Sequence, residues 1–364
     1  MSRLAWANAH LGFALLCGLL ALPAGAAEPT SGAFREWLAG CDNLGRCTAL
    51  SLPVDGASFP AMLMLQREAR PAAPPVLTLT LKADTLPELP LVANLAVDGA
   101  PFPSPGAKLT VERADLETGR VRFTPEQIEA LVAAMRKATA MTATMARDSY
   151  EIPLAGAVAA MLWLDERQGR LSTPTALIRK GDTSPTRIPQ PAPLPIVTPV
   201  PTKTLRGPTK AQAKALAAAM REQLQRTDPD ACEDNEPARG MDSAVQIDRR
   251  SRLVMLSCLG GAYNYTTSYW IVPGSDVAKA RKLAFQQPGK PTGNRLINAE
   301  YDPATGQIAF LEKGRGPGDC GRLGGYAWTG KNFVLTTYAE MPRCQGLLPD
   351  DWLVLWRSEV KAAK

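Results

Sequence analysis

The chain has 364 residues, with 41 lysines and arginines against 35 aspartates and glutamates, which gives a formal net charge of +6. The basic residues are scattered along the chain, and this excludes nucleic acid as a predicted partner. The single histidine, His10, lies near the start of the chain. If that segment is removed, Ser-His-Asp and Cys-His catalytic arrangements are excluded as well.

The first 27 residues have the three parts of a secretory signal peptide. Arg3 supplies a positive start, Leu11–Leu22 is apolar, and Ala24–Ala27 supplies small residues. The apolar run is shorter than the ~20 residues that span a bilayer, so we predict cleavage near Ala26 or Ala27 and no membrane anchor. No transmembrane segment is predicted after the leader. The mature chain is predicted to be periplasmic or secreted.

The cysteines indicate disulfide bonds. Apart from Cys17 in the leader, they fall in three close pairs: Cys41 with Cys47, Cys232 with Cys258, and Cys320 with Cys344. Paired cysteines behind a leader predict bridges formed in an oxidising compartment, and pairing of neighbours is the simplest connectivity. Because a CxxC knuckle and histidine ligands are both missing, no metal site and no cofactor is predicted.

A first domain is predicted over residues 28–182. Met62–Gln66 and Val76–Lys82 alternate as an antiparallel pair, and Leu109–Arg113 with Gly119–Phe123 is predicted to form a hairpin.

Two helices are predicted to follow these strands and pack on the sheet. Thr124, Pro125 and Gln127 predict a capped helix start, and a stripe of apolar residues follows it. The second helix is predicted over Leu154–Glu166, with Gly156 allowing close approach to a neighbour. The first domain is therefore predicted to be α+β.

Residues 183–208 are rich in proline, which removes amide donors and fixes φ. This composition predicts an extended, semi-rigid linker between two domains. A ligand for a proline-recognition module is the alternative interpretation.

The second domain is predicted over residues 209–364. It begins with a helix over Ala211–Gln225 and continues as short strands separated by turn residues. The predicted strands are Ala244–Asp248, Arg252–Cys258, Ser268–Val272, Arg295–Tyr301, Gln307–Lys313, Tyr326–Thr329, Asn332–Ala339 and Trp352–Trp356. Such spacing predicts a mostly antiparallel meander, and a sandwich, a barrel and a propeller-like sheet all stay open.

Several of these segments carry a family resemblance. The matching residues are Trp37, Cys41–Asn43, Cys47, Leu154–Gly156, Asp165–Arg170, Tyr301–Pro303, Lys313–Gly316, Gly318–Gly321, Cys344 and Trp352–Arg357. Together they resemble a bacterial exported family, domain of unknown function 1176. The region around Trp37 and Cys41 is also faintly similar to invasion-associated locus B proteins. The resemblance implies an envelope location, and it brings no catalytic residue.

The strongest candidate site is a glycine-rich loop over Lys313–Gly325. Lys313, Arg315 and Arg322 surround Asp319, and exposed glycine amides could form an anion-binding concavity. The alternative is a structural turn in which Arg315 pairs with Asp319.

Aromatic residues form a second candidate site. Tyr326 and Trp328 follow the glycine-rich loop, and Tyr263 and Tyr265 occur earlier in the chain. Such rings could stack on sugars of the wall, although core packing is the more common role of aromatic residues in strands.

We therefore predict a non-enzymatic binding or envelope-maintenance protein with no catalytic residue assigned. Its predicted binding residues are Lys313, Arg315, Asp319, Arg322, Tyr326 and Trp328, and its predicted partner is cell-wall glycan or another envelope component. The alternative is a carboxylate-dependent hydrolase of envelope polysaccharide, for which Glu300, Asp302, Glu312 and Asp319 are the acids near the loop. A purely structural partner of another envelope protein is a third hypothesis.

Overall fold

The computed structural model describes residues 28–88, 90–102, 109–233 and 239–362. The predicted signal peptide, residues 1–27, lies outside the described residues. Within the described ranges, no helix has both the length and the apolar character needed to cross a membrane. We refer to residues 28–182 as the N-terminal half and to residues 209–362 as the C-terminal half.

The N-terminal half is built on one antiparallel sheet of 11 strands, in the order β1-β2-β3-β4-β5-β9-β8-β6-β10-β11 with β7 beside β6. The strands are β1 (Thr30–Phe34), β2 (Trp37–Cys41), β3 (Cys47–Ser51), β4 (Ala61–Arg67), β5 (Val76–Lys82), β6 (Leu91–Val97), β7 (Ala100–Pro101), β8 (Leu109–Arg113), β9 (Thr118–Arg122), β10 (Ala140–Met145) and β11 (Asp148–Pro153). Both predicted strand pairs are confirmed, as β4 with β5 and β8 with β9.

Two helices pack against this sheet, which confirms the predicted α+β class. Helix α1 (Pro125–Met135) begins at the predicted capping box of Thr124 and Gln127. Helix α2 (Ala157–Arg167) begins three residues later than predicted, because Gly156 has a φ of 105° and serves as its N-cap. A Cβ at Gly156 would lie 1.8 Å from the carbonyl oxygen of Phe34, so only glycine fits between helix α2 and strand β1.

Among its described residues, the C-terminal half has the long helix α3 (Lys210–Thr227) and two five-stranded antiparallel sheets. Helix α3 is followed by β13 (Ser243–Gln246), β14 (Ser251–Gly260), β15 (Tyr265–Pro273), β16 (Arg281–Lys282) and β17 (Arg295–Ile297) of the first sheet. The second sheet holds β18 (Ala299–Asp302), β19 (Gln307–Lys313), β20 (Gly321–Trp328), β21 (Phe333–Met341) and β22 (Leu353–Arg357). The second sheet runs in chain order, which confirms the predicted meander.

The elements of the C-terminal half form layers. Leu216 and Met220 of α3 pack with Val254 and Trp270 on one face of the β14–β15 sheet. The other face of that sheet contributes Tyr269 to a core shared with the second sheet. Apolar side chains on alternate faces of β14 and β15 therefore serve two different layers.

The two halves are joined by a common core and by hydrogen bonds. Leu38, Leu50 and Met62 of the N-terminal half belong to the same apolar cluster as the second sheet of the C-terminal half. Beside it, Asn43 Nδ2 donates to the Arg357 carbonyl oxygen at 3.0 Å, and the Arg357 amide donates to Asn43 Oδ1 at 2.8 Å. Asp42 also pairs with the Arg357 guanidinium. The residues that follow β2 are therefore held against Arg357 near the end of the described chain.

The proline-rich segment lies along the C-terminal half. Its strand β12 (Ile196–Val197) pairs in parallel with β23 (Glu359–Val360). Further on, the Val200 amide donates to the Trp328 carbonyl oxygen at 2.7 Å. These contacts hold the segment extended against a folded surface. The division into domains at residues 183–208 stays a prediction.

All three predicted disulfides are confirmed. The bridges join Cys41 to Cys47, Cys232 to Cys258 and Cys320 to Cys344. The first joins the neighbouring strands β2 and β3, which are opposite each other at these residues. The other two span 26 and 24 residues, so each stabilises the fold by roughly 3 kcal/mol on a chain-entropy argument.

Candidate functional site

The glycine-rich segment forms a turn between strands β19 and β20. Lys313 is the last residue of β19, and β20 begins at Gly321, five residues before the predicted start of that strand. The prediction that the whole of Lys313–Gly325 is a loop is therefore wrong for its last part. Gly324 lies in β20 opposite Phe310 of β19. A Cβ placed on Gly324 would lie 2.7 Å from the ring of Phe310, so glycine is needed at this position.

Gly314 in the turn and Gly321 at the start of β20 make room for the disulfide and the neighbouring strand. A Cβ on Gly314 would lie 2.5 Å from the Cys320 sulfur, and one on Gly321, whose φ is 134°, would lie 1.9 Å from the Glu312 carbonyl oxygen. Real Cβ atoms do not approach so closely. These glycines are therefore explained by close packing, without an anion.

Asp319 is engaged inside the turn. Its carboxylate accepts hydrogen bonds from Arg315 Nε at 2.8 Å and Nη2 at 2.6 Å. It also accepts one from the Gly346 amide at 2.8 Å. The Arg315 guanidinium lowers the pKa of Asp319 to about 2. This geometry corresponds to the structural-turn alternative for Arg315 and Asp319.

The remaining cations of the predicted site differ in their partners. Arg322 pairs across the strands with Glu312 at 3.1 Å, so its charge is already compensated. Among the described residues, no carboxylate lies within 4.0 Å of the Lys313 ammonium. The aliphatic part of Lys313 lies beside Gly318. Of the three predicted cations, Lys313 is the one whose charge is open to a ligand.

Tyr326 and Trp328 lie in the core of the C-terminal half. Each is 1% exposed, and both rings contact neighbouring aromatic rings. The Tyr326 hydroxyl donates to the Gln286 carbonyl oxygen at 2.8 Å. Neither ring face is open to a sugar in this structure, so we leave both residues out of the candidate site.

The structure instead brings the exposed Tyr263 to the turn, and the exposed Tyr265 lies two residues further on, at the start of β15. The hydroxyl of Tyr263 donates to the Gly314 carbonyl oxygen at 3.4 Å, and Asn264 Nδ2 donates to the Lys313 carbonyl oxygen at 2.8 Å. Tyr263 is 44% exposed and Tyr265 is 37% exposed. We call Tyr263, Tyr265 and Lys313–Gly316 the loop–hairpin surface. The sequence showed both parts, but nothing in it indicated that they meet.

Most acids near this surface already have a structural role. Glu312 and Asp319 are paired with arginines, and Asp302 caps the turn that follows β18 by accepting from the Ala304 amide at 2.8 Å. Glu300 is exposed on strand β18. Within the described ranges, one group has ligand atoms close enough for a metal, Asp319 with Cys320 and Cys344, but its two sulfurs are joined in the disulfide.

The motif Asp165–Arg170 forms a buried network. Asp165 and Arg67 have fully buried side chains and are 2.7 Å apart, and Arg67 Nε donates to Gln168 Oε1 at 2.7 Å. Asp165 also accepts from the amides of Leu177 and Ile178. These contacts anchor helix α2 to strand β4. Because the paired side chains are buried, the network offers no site for a ligand.

Comparison with known proteins agrees with these motifs. The family described as "Protein of unknown function (DUF1176)" matches residues 31–359. The chain is 30% identical over 346 residues to "Uncharacterized protein YpfG" of Escherichia coli (strain K12), covering 91% of this chain and 93% of that protein. No solved structure matches the chain. The match over most of both sequences shows that the chain belongs to the DUF1176 family, whose function is unknown.

Proposed function

We propose that this protein is a non-enzymatic binding protein of the bacterial envelope, and that it contacts wall glycan through the loop–hairpin surface. The observation that carries the proposal is the contact of the exposed Tyr263 ring with the turn that begins at Lys313. An aromatic face beside hydrogen-bonding groups suits a pyranose ring, which is apolar on its faces and polar at its edge. The three disulfides support an exported location.

The engaged acids support binding over hydrolysis at this surface. A glycosidase needs two carboxyl groups that are free to face the bond they cleave. Here Asp319 is held by Arg315, and Glu312 is held by Arg322. The carboxylate-dependent hydrolase therefore has no observation in its favour at the loop–hairpin surface, and incubation of the protein with wall glycan should release no soluble sugar.

Calorimetric titration of the purified protein with solubilised wall glycan tests the proposal. We expect measurable binding that falls about tenfold or more when Tyr263→Ala and Tyr265→Ala are combined, because two stacking contacts are lost. Lys313→Gln should weaken the binding of anionic fragments more than that of neutral ones. Arg315→Ala would remove the partner of Asp319 and disturb the turn itself, so its effect on binding would not report on direct contact with a ligand.

Leu116→Ala is the matched control, because Leu116 is 72% exposed and lies in the N-terminal half. It should leave the affinity unchanged. If the tyrosine double variant keeps its fold and binds as tightly as the wild type, the loop–hairpin surface is the wrong site. If no wall fragment binds the wild type, the proposed function is wrong.

A further inference from the structure

A charged concavity that the proposed function does not use lies between the two halves. It is a cleft of about 600 Å³. Its floor is formed by one face of strands β4, β5 and β9, and the short helical turn Pro349–Asp351 of the C-terminal half borders it. The same sheet face is covered further along by the common core, where Leu38 and Leu50 pack. The cleft therefore lies where this sheet face is no longer covered by the C-terminal half.

The register of the strands arranges the floor in rows. Thr78 lies opposite Met64 on one side and Arg122 on the other, and Thr80 lies opposite Met62 and Arg120. Arg120 and Arg122 are two residues apart on β9, so they point to the same face with about 7 Å between their Cα atoms. The floor thus changes across three strands from methionine through threonine to arginine.

The two arginines carry like charges on neighbouring positions of the floor. Both are exposed, and no described carboxylate lies within 4.0 Å of either guanidinium. Glu112 faces Arg120 across strands β8 and β9 without forming an ion pair. Like charges on neighbouring positions of one sheet face repel each other, and an oxyanion held between them would remove this cost while accepting hydrogen bonds from both.

A buried carboxyl group at the edge of the cleft supplies the second observation. Asp351 is 3% exposed, and its Oδ2 accepts no hydrogen bond from a described residue. Lys82 Nζ lies 3.8 Å from this oxygen. Burial raises the pKa of Asp351. A buried oxygen that lacks a donor costs free energy, and a ligand hydroxyl would supply that donor.

We propose that this cleft binds an acidic sugar, with its oxyanion between Arg120 and Arg122 and a hydroxyl donating to Asp351. The hydroxyl of Thr78 on the floor suits further ring hydroxyls, and Met64 suits an apolar ring face. The volume lies within the range of small-ligand sites and exceeds what a bare anion needs. This site is separate from the loop–hairpin surface and does not depend on the function proposed for that surface.

Titration with three related sugars tests whether the cleft recognises an acidic sugar. D-glucuronate, D-glucose 6-phosphate and D-glucose are titrated calorimetrically into the full-length mature protein, together with inorganic phosphate. At least one of the two acidic sugars should bind about tenfold or more tightly than glucose, since charge-assisted hydrogen bonds are lost with the neutral sugar. The ratio between the two acidic sugars identifies carboxylate or phosphate as the preferred oxyanion. Inorganic phosphate should bind more weakly than the preferred sugar.

Single substitutions test whether Arg120, Arg122 and Asp351 bind the sugar. Arg120→Gln and Arg122→Gln should each lower the affinity for the preferred sugar about tenfold or more. Asp351→Ala should weaken the sugar and leave the affinity for inorganic phosphate unchanged. Arg147→Gln, which removes an exposed arginine from the turn between β10 and β11, is the matched control. Each variant is first compared with the wild type in thermal unfolding.

Each result of these titrations either supports the proposal or overturns it. The proposal is overturned if neither acidic sugar binds, if glucose binds equally well, or if both arginine variants bind like Arg147→Gln. It is also overturned if inorganic phosphate binds as tightly as the preferred sugar, because the cleft would then be a simple anion site. The tyrosine double variant should keep full affinity for the acidic sugar, which separates this site from the wall-glycan proposal.

Discussion

Asp165 and Asp319 are two family-motif acids with the same kind of partner and different surroundings. Asp165 and its partner Arg67 are completely buried, while the Arg315 side chain that holds Asp319 is 49% exposed. The first pair fixes helix α2 to the large sheet, and the second closes a turn beside a disulfide. Both acids therefore act as structural anchors through their arginine partners. The burial of each pair decides how much that pair contributes to the free energy of unfolding.

Removing the buried acid should have the largest effect. Asp165→Ala leaves the Arg67 guanidinium buried without a counter-charge, and the free energy of unfolding should fall by about 3 to 5 kcal/mol. Urea unfolding followed by circular dichroism measures the change. Lys180→Ala removes the exposed pair of Lys180 with Glu129 and should cost less than about 0.5 kcal/mol. Equal losses in the two variants would show that burial of Asp165 does not matter.

Asp319→Asn should have a smaller effect that depends on pH. At neutral pH the loss of charge-assisted hydrogen bonds should cost about 1 kcal/mol. The pKa of Asp319 is lowered from 3.8 to about 2, so its stabilising contribution is present above pH 3.8 and disappears as the pH falls towards 2. Unfolding measured along this range should show wild type and variant converging. A constant difference down to pH 2 would contradict the Arg315 contact.

Asp351→Asn should have the smallest effect, with the opposite sign. Burial raises the pKa of Asp351, so its ionised form destabilises the folded state above the ordinary pKa of 3.8. The variant should therefore unfold at a slightly higher temperature than the wild type at pH 7, and at the same temperature well below pH 3.8. A lower unfolding temperature at pH 7 would show that Asp351 is satisfied by its surroundings and is not held for a ligand.

Local signals predicted much of the fold. The Thr124 capping box located the start of α1, and alternation located the strands β4 and β5. Neighbouring cysteines paired as expected because each pair closes a short stretch of chain. These features depend on residues close in sequence, where periodicity and capping preferences act directly.

The candidate sites depend on contacts that the sequence does not show. Tyr263 meets Gly314 from 51 residues away, and the burial of Trp328 follows from packing between strands far apart in sequence. The cleft joins Arg122 to Asp351, and neither residue stands out in its own segment. Strand register also decides which cations are already neutralised. It places Arg322 opposite Glu312, and the sequence does not show this register.

The contact between Asn43 and Arg357 spans 314 residues and has a consequence for biogenesis. During synthesis, Leu38 and Leu50 emerge long before Leu353 and Leu355 of β22, which belong to the same apolar cluster. Until β22 has emerged, this cluster is incomplete, and its uncovered side chains favour self-association of the nascent chain.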